Sequence, residues 1–233
     1  MNSSTIFHRF LLITLLLFIA IPVVAQQSDG PWEQAIQQFE ELDRTHDYPP
    51  ESIFFTGSSS IRLWETLEED MYPYPVIQRG FGGSRMTDLL NHADRYISLH
   101  TFSAMVLFVA NDIVGEPNRD NTPEEVRELF EEFITEKVRS YNPDAPIFIL
   151  AVTPTHSRWR AWDQSRAANH QLAALADELD NVIFIHTEDL FLGEDGMPKD
   201  ELFVSDRLHL SPAGYALWTK RLRSYLDPVV GGK

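Results

Sequence analysis

A chain of 233 residues with 43% hydrophobic content is long enough for one enzyme-sized domain with its own core. Its formal charge of −16, from 35 acidic against 19 basic side chains, argues against nucleic acid or an anionic lipid surface as partner. With no cysteine, disulfides, a thiolate nucleophile and cysteine-ligated zinc or iron–sulfur centres are all excluded.

The first 25 residues read as an export signal. Arg9 precedes an apolar run from Phe10 to Ile21, and Pro22-Val23-Val24-Ala25 offers small residues for cleavage after Ala25. The run is short for a membrane span, and no cysteine follows it for lipid attachment. The expectation is a signal peptide over 1–25, one domain over 26–233, and a secreted or periplasmic product with no stable membrane span. Oligomeric state is not legible.

Beyond the signal, the pattern changes type repeatedly. A helix is predicted from Trp32 to Thr45. Short apolar runs at Ser52–Phe55, Val76–Gln78, Ala104–Val109, Ile147–Val152 and Val182–Ile185 predict five buried strands. Between the third and fourth, Thr122 to Tyr141 predicts a helix that opens with an N-cap, Pro123 at the first helical position and Glu125 three residues after the cap. Ser211-Pro212 announces the last helix in the same way. Strands alternating with helices favour a doubly wound α/β domain, a parallel sheet covered on both faces.

In such sheets ligands bind at the carboxyl ends of the strands, near the switch in strand order. Polar groups stand at those places: Thr56-Gly57-Ser58-Ser59-Ser60 after the first run, Gly80-Phe81-Gly82-Gly83-Ser84 after the second, Asn111-Asp112 after the third, and Asp206-Arg207-Leu208-His209 before the last helix. Together they hold the parts of acyl transfer. A serine hydroxyl needs an imidazole to take its proton, and the imidazole needs a carboxylate to fix its tautomer. Ser59, His209 and Asp206 are the candidates, provided a turn folds the last two toward one point. The Ser59 and Gly83 N–H groups and the Asn111 side-chain amide are candidate donors to an oxyanion.

On these residues the chain resembles the SGNH/GDSL hydrolase family. Gly57-Ser58-Ser59 matches the family's first block, Gly83 the second, Asn111 the third, and Asp206 with His209 the last Asp-x-x-His block, in order and over most of the chain. The resemblance implies a flavodoxin-like three-layer α/β/α fold with a five-stranded parallel sheet in order 2-1-3-4-5. It also implies no metal, no cofactor, and hydrolysis of carboxylic esters through a serine acyl-enzyme. The chain departs from the pattern at three positions: Ser58 and Ser84 replace aspartates, and Val109 replaces a glycine two residues before Asn111. Val109 gives up the backbone freedom glycine has there.

His156, Arg158, Trp159 and Trp162, after the fourth run, are candidates to line a substrate pocket. Asp112 is expected to brace its loop and Trp64 to pack in the core. The other histidines show no metal-ligand spacing. The expected activity is that of a secreted serine esterase acting on short acyl esters of carbohydrate, a small-molecule or polysaccharide substrate. Long-chain acyl esters such as lysophospholipids are the alternative substrate class, and a glycan-binding module with a vestigial triad is the alternative of another kind. A flavin-binding electron carrier would leave Asp206 and His209 without a role.

Overall fold

The computed structural model describes residues 30–231. The expected signal peptide lies outside the described residues. Five parallel strands, β1 (Ile53–Gly57), β2 (Val76–Gly80), β3 (Ala104–Phe108), β4 (Ile147–Leu150) and β5 (Val182–Ile185), form one sheet in the order β2-β1-β3-β4-β5. Every residue of β1, β3 and β4 is buried, which is why these strands read as unbroken apolar runs rather than alternating ones. Val109 and Val152, expected inside strands, lie just past their ends.

Helices cover both faces. On one side α1 (Glu33–Thr45), α4 (Met86–Tyr96), α5 (Pro123–Glu132) and α7 (Trp162–Glu178) enclose a core that includes Phe54, Ile77, Leu107 and Ile149 from the sheet. On the other, the single turn α2 (Ser59–Arg62), α3 (Leu67–Met71), α8 (Glu188–Phe191) and α9 (Pro212–Val230) pack on Phe55, Val106, Phe148 and Ile185. Helix α5 begins as its sequence predicts: the Thr122 hydroxyl accepts from the Glu125 N–H at 3.2 Å, and the Glu125 carboxylate accepts from the Thr122 N–H at 2.7 Å. The helix predicted to run to Tyr141 does so only through a π-helical turn, Phe133–Val138, and a last turn α6 (Arg139–Tyr141). The wider π turn keeps Phe133, Ile134 and Val138 all in the core. Trp64 lies just beyond α2, fully buried against Tyr215 and Trp218.

The switch in strand order falls between β1 and β3, and Gly57 ties their ends together. Its φ is +137°, and a Cβ there would overlap the Phe108 carbonyl oxygen. That same oxygen accepts from the Ser58 N–H at 2.9 Å. Only glycine allows the backbones to approach so closely, and the approach sets where the next residue, Ser59, emerges.

Candidate active site

Of the three serines following β1, one is hydrogen-bonded to the imidazole. Ser58 and Ser60 are buried, and the Ser60 carbonyl accepts from the Tyr215 hydroxyl at 2.9 Å. Ser59 alone is partly exposed, and its Oγ stands 2.9 Å from His209 Nε2. The Nδ1 of the same ring is 2.6 Å from Asp206 Oδ2. Residues 150 positions apart in sequence thus form one hydrogen-bonded chain from hydroxyl to imidazole to carboxylate.

A local device makes the Asp206–His209 contact possible. The Arg207 N–H donates to the Val204 carbonyl at 2.9 Å, closing a turn in which Arg207 takes φ +57°, and Phe203 pairs with Leu210 across the loop. The turn points both side chains the same way. Asp206 Oδ1 also accepts the backbone N–H groups of Leu208 and His209, each at 2.9 Å. Partial burial alone would raise the Asp206 pKa; the His209 ring and these two N–H groups outweigh it and hold the carboxyl below the usual range. The carboxylate is therefore ionised at neutral pH, and it fixes the ring with Nδ1 protonated and Nε2 free to accept from Ser59.

Opposite the hydroxyl, Gly83 and Asn111 line an open groove with Ser59 and His209. The Ser59 and Gly83 N–H groups donate to nothing among the described residues. Gly83 has φ +79°, which favours glycine. Asn111 is held from both ends. Its Nδ2 donates one hydrogen to the Ser84 carbonyl at 2.8 Å, leaving the other uncommitted, and its Oδ1 accepts from Arg158 Nη2 at 2.5 Å. Arg158 Nη1 also donates to the Ala110 carbonyl at 2.7 Å. Val109, where glycine was the expected residue, is buried in the core without a positive φ, so the departure leaves the Asn111 loop intact. Asp112 braces that loop, accepting from the Met86 N–H at 3.2 Å. Burial raises its pKa, and the Met86 N–H and Arg85 oppose this only in part.

The four pocket candidates after β4 divide. Arg158 and Trp162 line a narrow cavity beside Ser59. His156 and Trp159 do not line it: His156 Nε2 contacts Asp200 Oδ1 at 2.8 Å on the outer side, and Trp159 stacks on Trp162 with ring centres 6.3 Å apart. The reason is the irregular turn from His156 to Ala161, in which Arg158 is non-helical, so sequence spacing does not predict which side chains share a face. The wall also takes in Phe108, Val152 and Leu210 and the polar Ser58, Ser60, Thr153, Thr155 and Ser165, none of which the sequence singles out as pocket residues. The cavity measures about 30 Å³, where one water needs roughly 10–15 Å³. On the other side of His209 a wider groove of about 370 Å³ runs along Leu63, Val204, Pro212 and Tyr215. Among the described residues no group of three or more His, Asp or Glu side chains could hold a metal ion.

A model of the GDSL-like lipase/acylhydrolase family matches residues 45–217. No curated protein matches the chain. Solved structures do. A Streptococcus pneumonia protein described in terms of platelet activating factor is 24% identical with TM-score 0.74, over 83% of this chain and 92% of that one. A GDSL-like lipase from Bacteroides thetaiotaomicron is 14% identical with TM-score 0.66, over 83% and 97%. A catalytic mutant of an acetylxylan esterase from Geobacillus stearothermophilus is 14% identical with TM-score 0.61, over 78% and 95%. At these identities the likeness is one of fold.

Proposed function

The chain belongs to the GDSL-like lipase/acylhydrolase family, and from that premise we propose that it is a serine esterase with Ser59 as nucleophile, His209 as general base and Asp206 as the residue that orients the base. The observation carrying this reading is the unbroken chain of contacts Ser59–His209–Asp206, at 2.9 and 2.6 Å. In the first step the Ser59 proton passes to His209 Nε2 while Oγ bonds to the ester carbonyl carbon. The resulting oxyanion meets the Ser59 and Gly83 N–H groups and the free Asn111 amide hydrogen. The C–O bond to the alcohol then breaks, and the imidazolium returns the proton to the departing oxygen. Water repeats the sequence on the acyl-enzyme and releases the acid.

The acyl group this reading favours is short. The cavity beside Ser59, walled by Phe108, Val152 and Trp162, suits a group of acetyl size. Fold neighbours that include an acetylxylan esterase and a carbohydrate esterase from Talaromyces cellulolyticus support a sugar as the alcohol part. The apolar groove past His209 favours a second reading, long-chain acyl esters, because it could receive a hydrocarbon tail. The N-terminal run supports export, tested by the N-terminal residue of the mature protein. Nitrophenyl esters of two, four and eight carbons separate the substrate readings: rates falling steeply after acetyl support the short-acyl one. Fluorophosphonate labelling lost in Ser59→Ala supports the nucleophile. Labelling that persists in that variant refutes it.

A further inference from the structure

In a chain so acidic, most arginines are expected to be neutralised locally, and many are: Arg79, Arg95, Arg127 and Arg221 each lie within 4.0 Å of a carboxylate. Among the described residues, Arg62, Arg139, Arg158 and Arg160 have no such partner. Arg139 donates instead to the Ala145 and Asp180 carbonyls, and the other three border the open groove in front of Ser59. Arg62 lines its stretch beside Ser59 and His209, Arg160 the stretch beyond Asn111, and Arg158 both stretches.

The backbone makes room for the two outer guanidinium groups. A Cβ at Gly82 would lie 2.8 Å from Arg62 Nε and 3.3 Å from its Cζ, so that guanidinium rests against bare backbone. A Cβ at Gly115, where φ is +89°, would overlap Arg160 Nε. The acidic groups nearby are already engaged. Asp88 accepts the Arg85 N–H at 2.8 Å at the start of α4, and Glu116 is paired with Arg119 at 2.8 Å. Asp120, which accepts the Val114, Gly115 and Glu116 N–H groups, is the charge that most opposes the fall in the Arg158 pKa caused by burial. The groove thus presents cationic side chains on both flanks of the oxyanion donors, and the outer two, Arg62 and Arg160, are exposed and have no carboxylate partner.

From this placement we infer that the alcohol part of the substrate carries an anionic group, and that Arg62 and Arg160 recognise it: the substrate class is an acetylated sugar bearing a carboxylate. This rests on the esterase reading above and narrows it. With the acetyl group in the small cavity, the sugar lies in the groove, where a carboxylate comes within reach of a guanidinium fork. The small cavity favours a sugar over the other carrier of such a charge, a lysophospholipid phosphate, whose acyl chain is long.

The test compares kcat/KM on acetylated galacturonate oligosaccharides, acetylated xylo-oligosaccharides and lysophosphatidic acid, with nitrophenyl acetate as the control for the chemistry itself. The expected result is a preference for the acidic over the neutral sugar of about tenfold or more. It should be carried by KM, collapse toward one in the Arg62→Gln/Arg160→Gln variant, and shrink as salt rises. Gly82→Ala, which crowds Arg62 from behind without removing a charge, should shift the ratio in the same direction. An acidic-to-neutral ratio at or below one, a ratio that survives in the double variant, or hydrolysis of lysophosphatidic acid in preference to both sugars overturns the inference. Failure to cleave nitrophenyl acetate would instead overturn the esterase reading beneath it.

Discussion

Replacing Asp206 by asparagine tests the central geometry with little disturbance to the loop. Asp206 Oδ1 holds the Leu208 and His209 N–H groups and Oδ2 faces His209 Nδ1. An asparagine must put its carbonyl oxygen on the two backbone donors, since turning its NH₂ toward them would set donor against donor. The NH₂ then faces Nδ1, which can only accept. The imidazole proton moves to Nε2, and a ring that should take the Ser59 proton offers one instead. The same change in a buried triad costs about 10⁴ in kcat, or roughly 5.5 kcal/mol. Here the Asp206 side chain is 46% exposed, so water partly competes and about 10³–10⁴ is expected. Steady-state hydrolysis of nitrophenyl acetate gives kcat, and the unfolding temperature checks that the loop survives. Asp206→Ala should lose as much activity and also stability, because two N–H groups lose their acceptor. A kcat for Asp206→Asn within tenfold of the parent would refute the orienting role.

Four other outcomes are expected. Asn111→Ala should lower kcat by about 10²–10³ on a neutral ester. Arg158→Lys keeps the charge but cannot span the Ala110 carbonyl and Asn111 Oδ1 at once. Its kcat should fall about tenfold or more, and a double variant with Asn111→Ala should be no slower than Asn111→Ala alone; additive losses would deny that Arg158 acts through Asn111. Gly57→Ala should destabilise by about 3 kcal/mol or more, seen as a lowered Tm, because positive φ and the Phe108 carbonyl both oppose a side chain. Asp43→Asn should cost about 3–5 kcal/mol, measured by urea unfolding, by leaving the fully buried Arg79 without its counter-charge. Although burial pushes the Asp43 carboxyl up, His100 and Arg79 hold it below its ordinary value. Its folded pKa being depressed, the stabilisation is complete above the unfolded value near 3.9 and lost as pH falls through the folded one. Acid unfolding of Asp43→Asn should accordingly be flatter than the parent's below about pH 4.

The sheet was legible because its strands are buried on both faces, and a fully buried strand leaves an uninterrupted apolar run whatever its neighbours. The capped starts at Thr122 and Ser211 were legible because capping is chemistry between residues three apart. Ser59, Asp206 and His209 could be picked out from types and order, but the means of uniting them could not. Nothing about an arginine advertises the left-handed φ of Arg207 that turns Asp206 and His209 together. The division of the His156–Trp162 segment was hidden for a related reason. The grip of Arg158 on Asn111 spans 47 residues, the contact of His156 with Asp200 spans 44, and no local pattern encodes a partner so distant.

The same segment has a second attachment. The Ser157 hydroxyl donates to the Asp206 carbonyl at 2.6 Å and the Ser157 N–H to the Arg207 carbonyl at 3.3 Å, while Asp200 accepts from Arg207 and lies 2.8 Å from His156 Nε2. The stretch that steadies Asn111 is thereby stitched to the stretch that carries His209. Anyone recombining this scaffold with its cousins to change what it accepts should transplant these two stretches as a matched pair, since either one alone would arrive without its seam.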